Sequence, residues 1–305
     1  MELALACRGL VKRYGDLVAV DGLDLEVRRG ECFGLLGPNG AGKTTTVEIL
    51  EGLLDPTAGD VELLGRRWST DETWLRERLG ISLQETHLQP KLTVRETLEL
   101  FRSFYAKGKD PDAVLDLVSL REKERARYET LSGGQKQRLA VACALVGAPE
   151  ILFLDEPTTG LDPQSRRVLW DIITEFKREG GSIVLTTHYM DEAERLCDRV
   201  AIVDHGKRIA LGTPRELVRS IGAEQILELQ TSAPCTSEEL AALPGVKAAR
   251  KQADAHVLAV EGAAVTLPAL VTWLAEHDNG LTSLSMHAAT LEDVFVHLTG
   301  RQLRE

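Results

Sequence analysis

An α/β fold is predicted: an open sheet with crossover helices, followed by a smaller α+β domain. Three observations predict it. The runs CFGLL at 32–36, ILFLD at 151–155 and SIVLTT at 182–187 are apolar almost throughout, as strands covered on both faces of a parallel sheet must be. A helical pattern follows each run, the alternation that builds such a sheet. Beyond residue 215 the pattern changes to short strands interleaved with short helices.

Taken in order, the apolar stretch 3–12, the alternating LDLEV at 23–27 with its RRGE turn at 28–31, and 60–65 predict a small antiparallel sheet. Residues 90–148 read mostly helical. Thr93-Val-Arg-Glu96 and Ser132-Gly-Gly-Gln135 are capping boxes that start two of these helices. Thr213-Pro-Arg-Glu216 combines an N-cap, Pro at N1 and Glu at N3. The tail predicts strands near 226–230, 246–251, 256–260 and 281–286, with helices near 237–242, 267–277 and 290–298. The last begins with the box Thr290-Leu-Glu-Asp293 and aligns Leu291, Val294, Phe295 and Leu298 on one face. A split βαβ unit fits this order. The expected domains are 1–215 and 216–305.

Composition bounds the function. The 305 residues suffice for one large domain and a smaller one, and 43% hydrophobic with 27% charged residues is ordinary for a globular chain. The net charge of −11 gives no electrostatic footprint for nucleic acid, so no nucleic-acid partner is expected. Five cysteines form no CxxC pair, and reduced thiols in a cytosolic protein are the expectation. The N-terminal MELALACRGLVKRYG does not read as a signal peptide, because Arg8 interrupts its short apolar stretch. The longest apolar run, 139–148, is about half of what a bilayer needs. If the chain acts at a membrane, another protein is expected to span it.

The chemistry concentrates at two glycine turns. Gly37-Pro-Asn-Gly-Ala-Gly42-Lys43-Thr44 fits G-x-x-x-x-G-K-[ST] between a strand and a helix. Glycines let backbone N–H groups converge on a polyphosphate, and the helix start adds about half a positive charge. Lys43 is expected on the β- and γ-phosphates, and the Thr44 hydroxyl on Mg²⁺. Asp155, at the carboxyl end of ILFLD, is the second metal-side group, and Glu156 the base for the attacking water. His188 ends SIVLTT, within reach of a γ-phosphate, and Gln84 ends another short apolar run. The second turn, LSGGQ at 131–135, has no lysine, yet Ser132, the N–H groups of Gly133 and Gly134 and a helix start make it anion-binding. With one P-loop and one Asp-Glu strand end, the chain builds one pocket. The extra turn either caps a helix or serves a neighbour's nucleotide.

GPNGAGKTT, Gln84, LSGGQ, ILFLDEP, GLDP at 160–163 and His188 occur in an order and spacing that resembles the ATP-binding cassette of ABC transporters, over about residues 1–215. The resemblance implies a RecA-like P-loop NTPase sheet with an antiparallel β subdomain and a helical subdomain. It implies ATP and Mg²⁺ as cofactors and ATP hydrolysis coupled to transport. It also implies two cassettes packed head to tail, each ATP held by one chain's P-loop and the other's LSGGQ. Position by position, Gly37, Pro38, Asn39, Gly40, Ala41, Gly42, Lys43, Thr44 and Thr45 would wrap the phosphates, and Tyr14 would stack on adenine. Ser132, Gly133, Gly134, Gln135 and Asp162 would reach the partner's site. Thr44, Gln84 and Asp155 would serve the metal, and Glu156, His188, Lys43 and Gln84 the chemistry. His87, Leu88, Leu92 and Val94 fall where such cassettes receive the transmembrane subunit.

The tail, LEDVFVHLTG at 291–300 in a short α+β unit, resembles the C-terminal domain of cassettes serving ABC-2 type exporters of the daunorubicin-resistance kind. That implies a homodimer on a separate ABC-2 type transmembrane subunit, peripheral on the inner face of the cell membrane. The rival readings are a soluble ABC ATPase acting on a ribosome or nucleic acid, and a simple P-loop GTPase. The chain has one cassette, no heptad run and no guanine-type NKxD motif.

Overall fold

The structure is a computed structural model that describes residues 2–84 and 86–300. It divides into two compact units, one reaching Leu211 and one starting at Gly212. Residues 301–305, the end of the expected second domain, lie outside the described residues.

The first unit holds two sheets. β1 (Leu3–Tyr14) pairs antiparallel with β2 (Leu17–Arg28) and β4 (Ala58–Leu63), in the order β2-β1-β4. The second sheet contains β3 (Cys32–Leu36), β5 (Leu79–Ser82), β6 (Ile151–Asp155), β7 (Ser182–Thr187), β8 (Arg199–Asp204) and β9 (Lys207–Gly212). Its order is β5-β6-β7-β3-β8-β9, and the pairs from β5 through β8 are parallel. Every residue of β3, β6 and β7 is buried, which explains their unbroken apolar sequence. The helices are α1 (Lys43–Leu50), α2 (Trp68–Arg76), α3 (Val94–Ser103), α4 (Pro111–Leu117), α5 (Gly133–Leu145), α6 (Pro163–Arg178) and α7 (Met190–Leu196). A core runs between the two sheets, with Leu5, Leu25 and Leu63 from one packed near Phe33, Phe153 and Val184 from the other.

Both capping boxes expected within 90–148 form: Thr93 accepts from the Glu96 N–H, and Ser132 from the Gln135 N–H. Three elements have no counterpart among the expectations: α2, β8 and β9. α2 carries a non-helical residue at Asp71 (φ −128°), which interrupts the helix near its start.

The second unit contains α8 (Pro214–Ser220), β10 (Gln225–Thr231), α9 (Ser237–Ala241), β11 (Val246–Gln252), β12 (Ala255–Val260), α10 (Ala263–Glu276), β13 (Leu281–Ala288) and α11 (Leu291–Thr299). The strands pair antiparallel in the order β11-β12-β10-β13, so the βαββαβ sequence closes as a split βαβ sheet. Leu227, Leu229, Leu240, Leu258 and Leu270 form its separate core. The buried face of α11 differs from expectation. Leu291, Val294 and Phe295 are buried as expected, but Val296 joins them and Leu298 is 43% exposed.

Candidate functional site

The first glycine turn joins β3 to α1 as a strand–loop–helix. Gly42 takes φ +95° at the helix N-cap, and a Cβ there would stand 2.2 Å from the Ala19 carbonyl oxygen. At Gly37 a Cβ would stand 2.3 Å from the Val203 oxygen. Any side chain would therefore push the turn off its two neighbours. Lys43 is 4% exposed, and its Nζ donates to the carbonyls of Gly37 at 2.8 Å and Pro38 at 3.1 Å. Burial pushes its ammonium below the usual lysine range, against the opposing attraction of Glu156.

Two carboxylates meet this loop at the carboxyl end of β6. The register that sets Asp155 beside Thr186 of β7 lets the Thr186 hydroxyl donate to Asp155 Oδ1. The same hydroxyl oxygen accepts from the Glu156 N–H at 2.9 Å. Glu156 itself sits at φ +46°, a left-handed conformation that costs a non-glycine residue about 1–3 kcal/mol. Its Oε2 lies 3.1 Å from His188 Nδ1, accepts from Thr159 Oγ1 at 3.2 Å, and stands 3.5 Å from Gln84 Nε2. Its Oε1 is 3.5 Å from Lys43 Nζ. One 8%-exposed carboxylate thus gathers Lys43, Gln84 and His188.

Lys43, Gln84 and Glu156 open onto a cavity of about 540 Å³. Asn39, Gly40, Gly42, Lys43, Thr44 and Thr45 line it from the turn, with Gln84 and Glu156 opposite. Tyr14, 47% exposed, lines the far end beside Leu17 and Val18. Gly37, Pro38, Ala41, Asp155 and His188 do not line the cavity. Ala41 is buried in the core, and Gly37 and Pro38 turn their carbonyls to Lys43. Thr44, Gln84 and Asp155 carry oxygen donors, the kind that Mg²⁺ prefers. Sequence reasoning missed His205, which lines the cavity from the turn between β8 and β9, and Thr186, whose role arises from strand register.

LSGGQ lies elsewhere. Ser132, Gly133, Gly134 and Gln135 do not line the cavity, and neither does Asp162. Ser132 and Gly133 are exposed at the start of α5. Asp162 caps α6, accepting from the N–H groups of Gln164 (3.0 Å) and Ser165 (2.9 Å) and from the Ser165 hydroxyl (2.6 Å). Those bonds hold its carboxyl below the usual range, the Ser165 hydroxyl contributing most. A Cβ at Gly134 would lie 2.4 Å from Ser165 Oγ, so the start of α5 is seated directly on the start of α6.

A second large cavity, about 620 Å³, lies between α2, α3 and β5 and is lined by Trp68, Phe101, Phe104 and Tyr105. Glu51 is at its floor, fully buried, with neither carboxylate oxygen hydrogen-bonded. Burial, then Asp155 and Glu48, raise its carboxyl to about 8. Of the residues expected at a transmembrane-subunit surface, Leu88 and Val94 are buried, while His87 is exposed and Leu92 half-buried.

Comparison with known proteins agrees with this geometry. The ABC transporter family profile matches residues 20–159. The Nod factor export ATP-binding protein I of Ralstonia nicotianae is 40% identical over 311 residues, covering 99% of this chain and 95% of that protein. Its counterpart in Burkholderia thailandensis is 41% identical, covering 96% of each chain. Among solved structures, an ATP-binding subunit of an ABC transporter superposes with TM-score 0.66 at 29% identity, covering 72% of this chain and 93% of that one. A dimeric bacterial ABC transporter cassette does so with TM-score 0.64 at 28% identity, covering 68% and 98%. The chain belongs to the ABC transporter family as an ATP-binding subunit, an ATPase whose turnover is coupled to transport.

Proposed function

We propose that this chain powers a membrane exporter by closing as a homodimer on two ATP molecules, with Mg²⁺ and a separate ABC-2 type transmembrane subunit. The observation that carries the reading is the division of the site. Lys43, Gln84 and Glu156 line one cavity, with His188 behind Glu156, whereas Ser132 and Asp162 stay outside it. A second copy would bring LSGGQ to the open side of that cavity. Export is favoured by the relatives, whose names state export of Nod factor. The ABC-2 assignment rests on the LEDVFVHLTG helix and the split βαβ unit that carries it. No helix among the described residues is long and apolar enough to cross a membrane, so the chain would reach the inner membrane face through its partner.

In this reading the glycine turn and Lys43 bind the phosphates, and Tyr14 covers the adenine. Thr44, Gln84 and Asp155 would hold Mg²⁺, which when bound neutralises charge on the β- and γ-phosphates. Glu156 accepts a proton from the attacking water. His188, 3.1 Å away through Nδ1, orients that carboxylate, and Thr159 steadies it with a hydroxyl hydrogen bond. Lys43 exchanges its loop carbonyls for phosphate oxygens. The aromatic groove over Glu51 would receive the transmembrane subunit.

The test is co-purification with the product of a neighbouring membrane-protein gene, with ATPase assayed in the complex. A stable complex with ATP-dependent transport supports the reading. ATPase stimulation by ribosomes or nucleic acid, with no membrane partner, would sink it.

A further inference from the structure

The second unit carries a group of side chains that ATP chemistry does not use. Cys235, in the loop between β10 and α9, places its Sγ 3.5 Å from His256 Nε2. The other ring nitrogen, Nδ1, lies 3.4 Å from Ser237 Oγ. In the tautomer whose Nδ1–H donates to Ser237 Oγ, Nε2 offers its lone pair to the thiol. A nucleophile, a base and a third group that orients the base are thus within mutual reach.

The surroundings fit a base rather than an ion pair. His256 is 5% exposed, near the start of β12, with Leu229 of β10 and Lys251 of β11 as its register partners. Burial, and then the positive charge of Lys251, hold the imidazole below its ordinary range, so it stays neutral near pH 7. On the α9 side, Glu239 is engaged by the N–H and hydroxyl of Thr236. The loop is fixed as well. Asn279 Oδ1 accepts from the Ala233 N–H at 2.8 Å, its Nδ2 donates to the Ala233 carbonyl at 3.1 Å, and the Gly280 N–H donates to Ser232 Oγ at 2.8 Å. Cys235 is therefore presented from a clamped backbone. It is partly exposed, whereas Cys7, Cys32, Cys143 and Cys197 are buried. Burial also pushes the thiols of Cys7 and Cys143 up to about 12.

We propose that Cys235 is a nucleophilic thiol served by His256 as its base, and that it reacts with low-molecular-weight disulfides of the glutathione disulfide class. In the reaction the Cys235 sulfur attacks one sulfur of R–S–S–R. The S–S bond of the reagent breaks, and a new S–S bond forms between Cys235 and one R–S group. Cys235 is oxidised and the leaving sulfur is reduced. The Cys235 proton passes to His256 Nε2 and then to the departing thiolate, which leaves as R–S–H. The product is a mixed disulfide on the rigid loop, reversed by excess thiol.

The test uses the purified full chain with 5,5′-dithiobis(2-nitrobenzoate) as a kinetic probe and glutathione disulfide with mass spectrometry as the adduct assay. One thiol per chain is expected to react rapidly and to gain one glutathionyl group, and Cys235→Ser to lose both signals. His256→Gln should slow the reaction at least about tenfold at pH 7. Mere exposure of Cys235 would predict no such slowing. A fast thiol surviving in Cys235→Ser, or equal wild-type and His256→Gln rates at pH 7, overturns the proposal. If His256→Gln does not fold, Ser237→Ala decides. A rate about threefold lower supports the proposal, and an unchanged rate overturns it.

Discussion

Glu156 shows how much of the site rests on single residues. It accepts left-handed backbone geometry because Thr186 holds its N–H and Thr159, Gln84 and His188 surround its carboxylate. Glu156→Gln should keep ATP binding and lose turnover by about 10²–10⁴-fold, as an ATPase assay beside a nucleotide-binding titration will read. Thr186→Val should cost about 1–3 kcal/mol in denaturant unfolding, because it strands a buried oxygen of Asp155 and leaves the Glu156 N–H only its longer bond to the Thr186 carbonyl. Glu51 governs a pH effect. Its carboxyl is raised in the folded state, so the folded chain binds the proton more tightly than the unfolded one. The stability this confers is complete below the ordinary carboxylate range and is lost as pH rises towards about 8. Glu51→Gln should therefore flatten the decline in thermal stability between pH 5 and 8 and raise stability at pH 8 by roughly 2–4 kcal/mol. At this scale the sequence reveals residues whose role is local. Lys43, Thr44, Asp155 and Glu156 are legible because a turn and a strand end define them. Thr186 and His205 are not, because their place depends on which strands become neighbours.

At the scale of elements, short-range chemistry reads well and long-range pairing does not. The boxes at Thr93, Ser132 and Thr213 start helices where the sequence predicts, since each closes within four residues. The buried strands read equally well from composition. The order β5-β6-β7-β3-β8-β9 is absent from any local pattern, as is the exposure of every residue of β13 at the sheet edge. Seating α5 on α6 is also a long-range event, and Gly134 is where it is decided. Gly134→Ala should force Ser165 Oγ away from Asp162, costing about 1–3 kcal/mol by chemical unfolding and lowering ATPase activity. Ser165→Ala in the same background should recover part of the stability by making room.

For the whole molecule, the decisive quantity is how strongly two copies associate. Swinging such an equilibrium from 1:99 to 99:1 takes about 5.5 kcal/mol. Two γ-phosphates, each with charge-assisted hydrogen bonds of about 1.5–3 kcal/mol, supply that scale. Sedimentation of Glu156→Gln should show dimers with ATP and monomers with ADP. Ser132→Arg and Lys43→Ala should each be inactive alone, and mixing them should return a fraction of wild-type ATPase from heterodimers that contain one intact composite site. The tight seat of Gly134 on Ser165, and the bond from Ser165 to Asp162, bear on how two copies would meet. Ser132 and Asp162 stand on two helix starts that approach closely. The twin would then be met by both contacts in one stroke, as by a latch with two teeth cut from the same block.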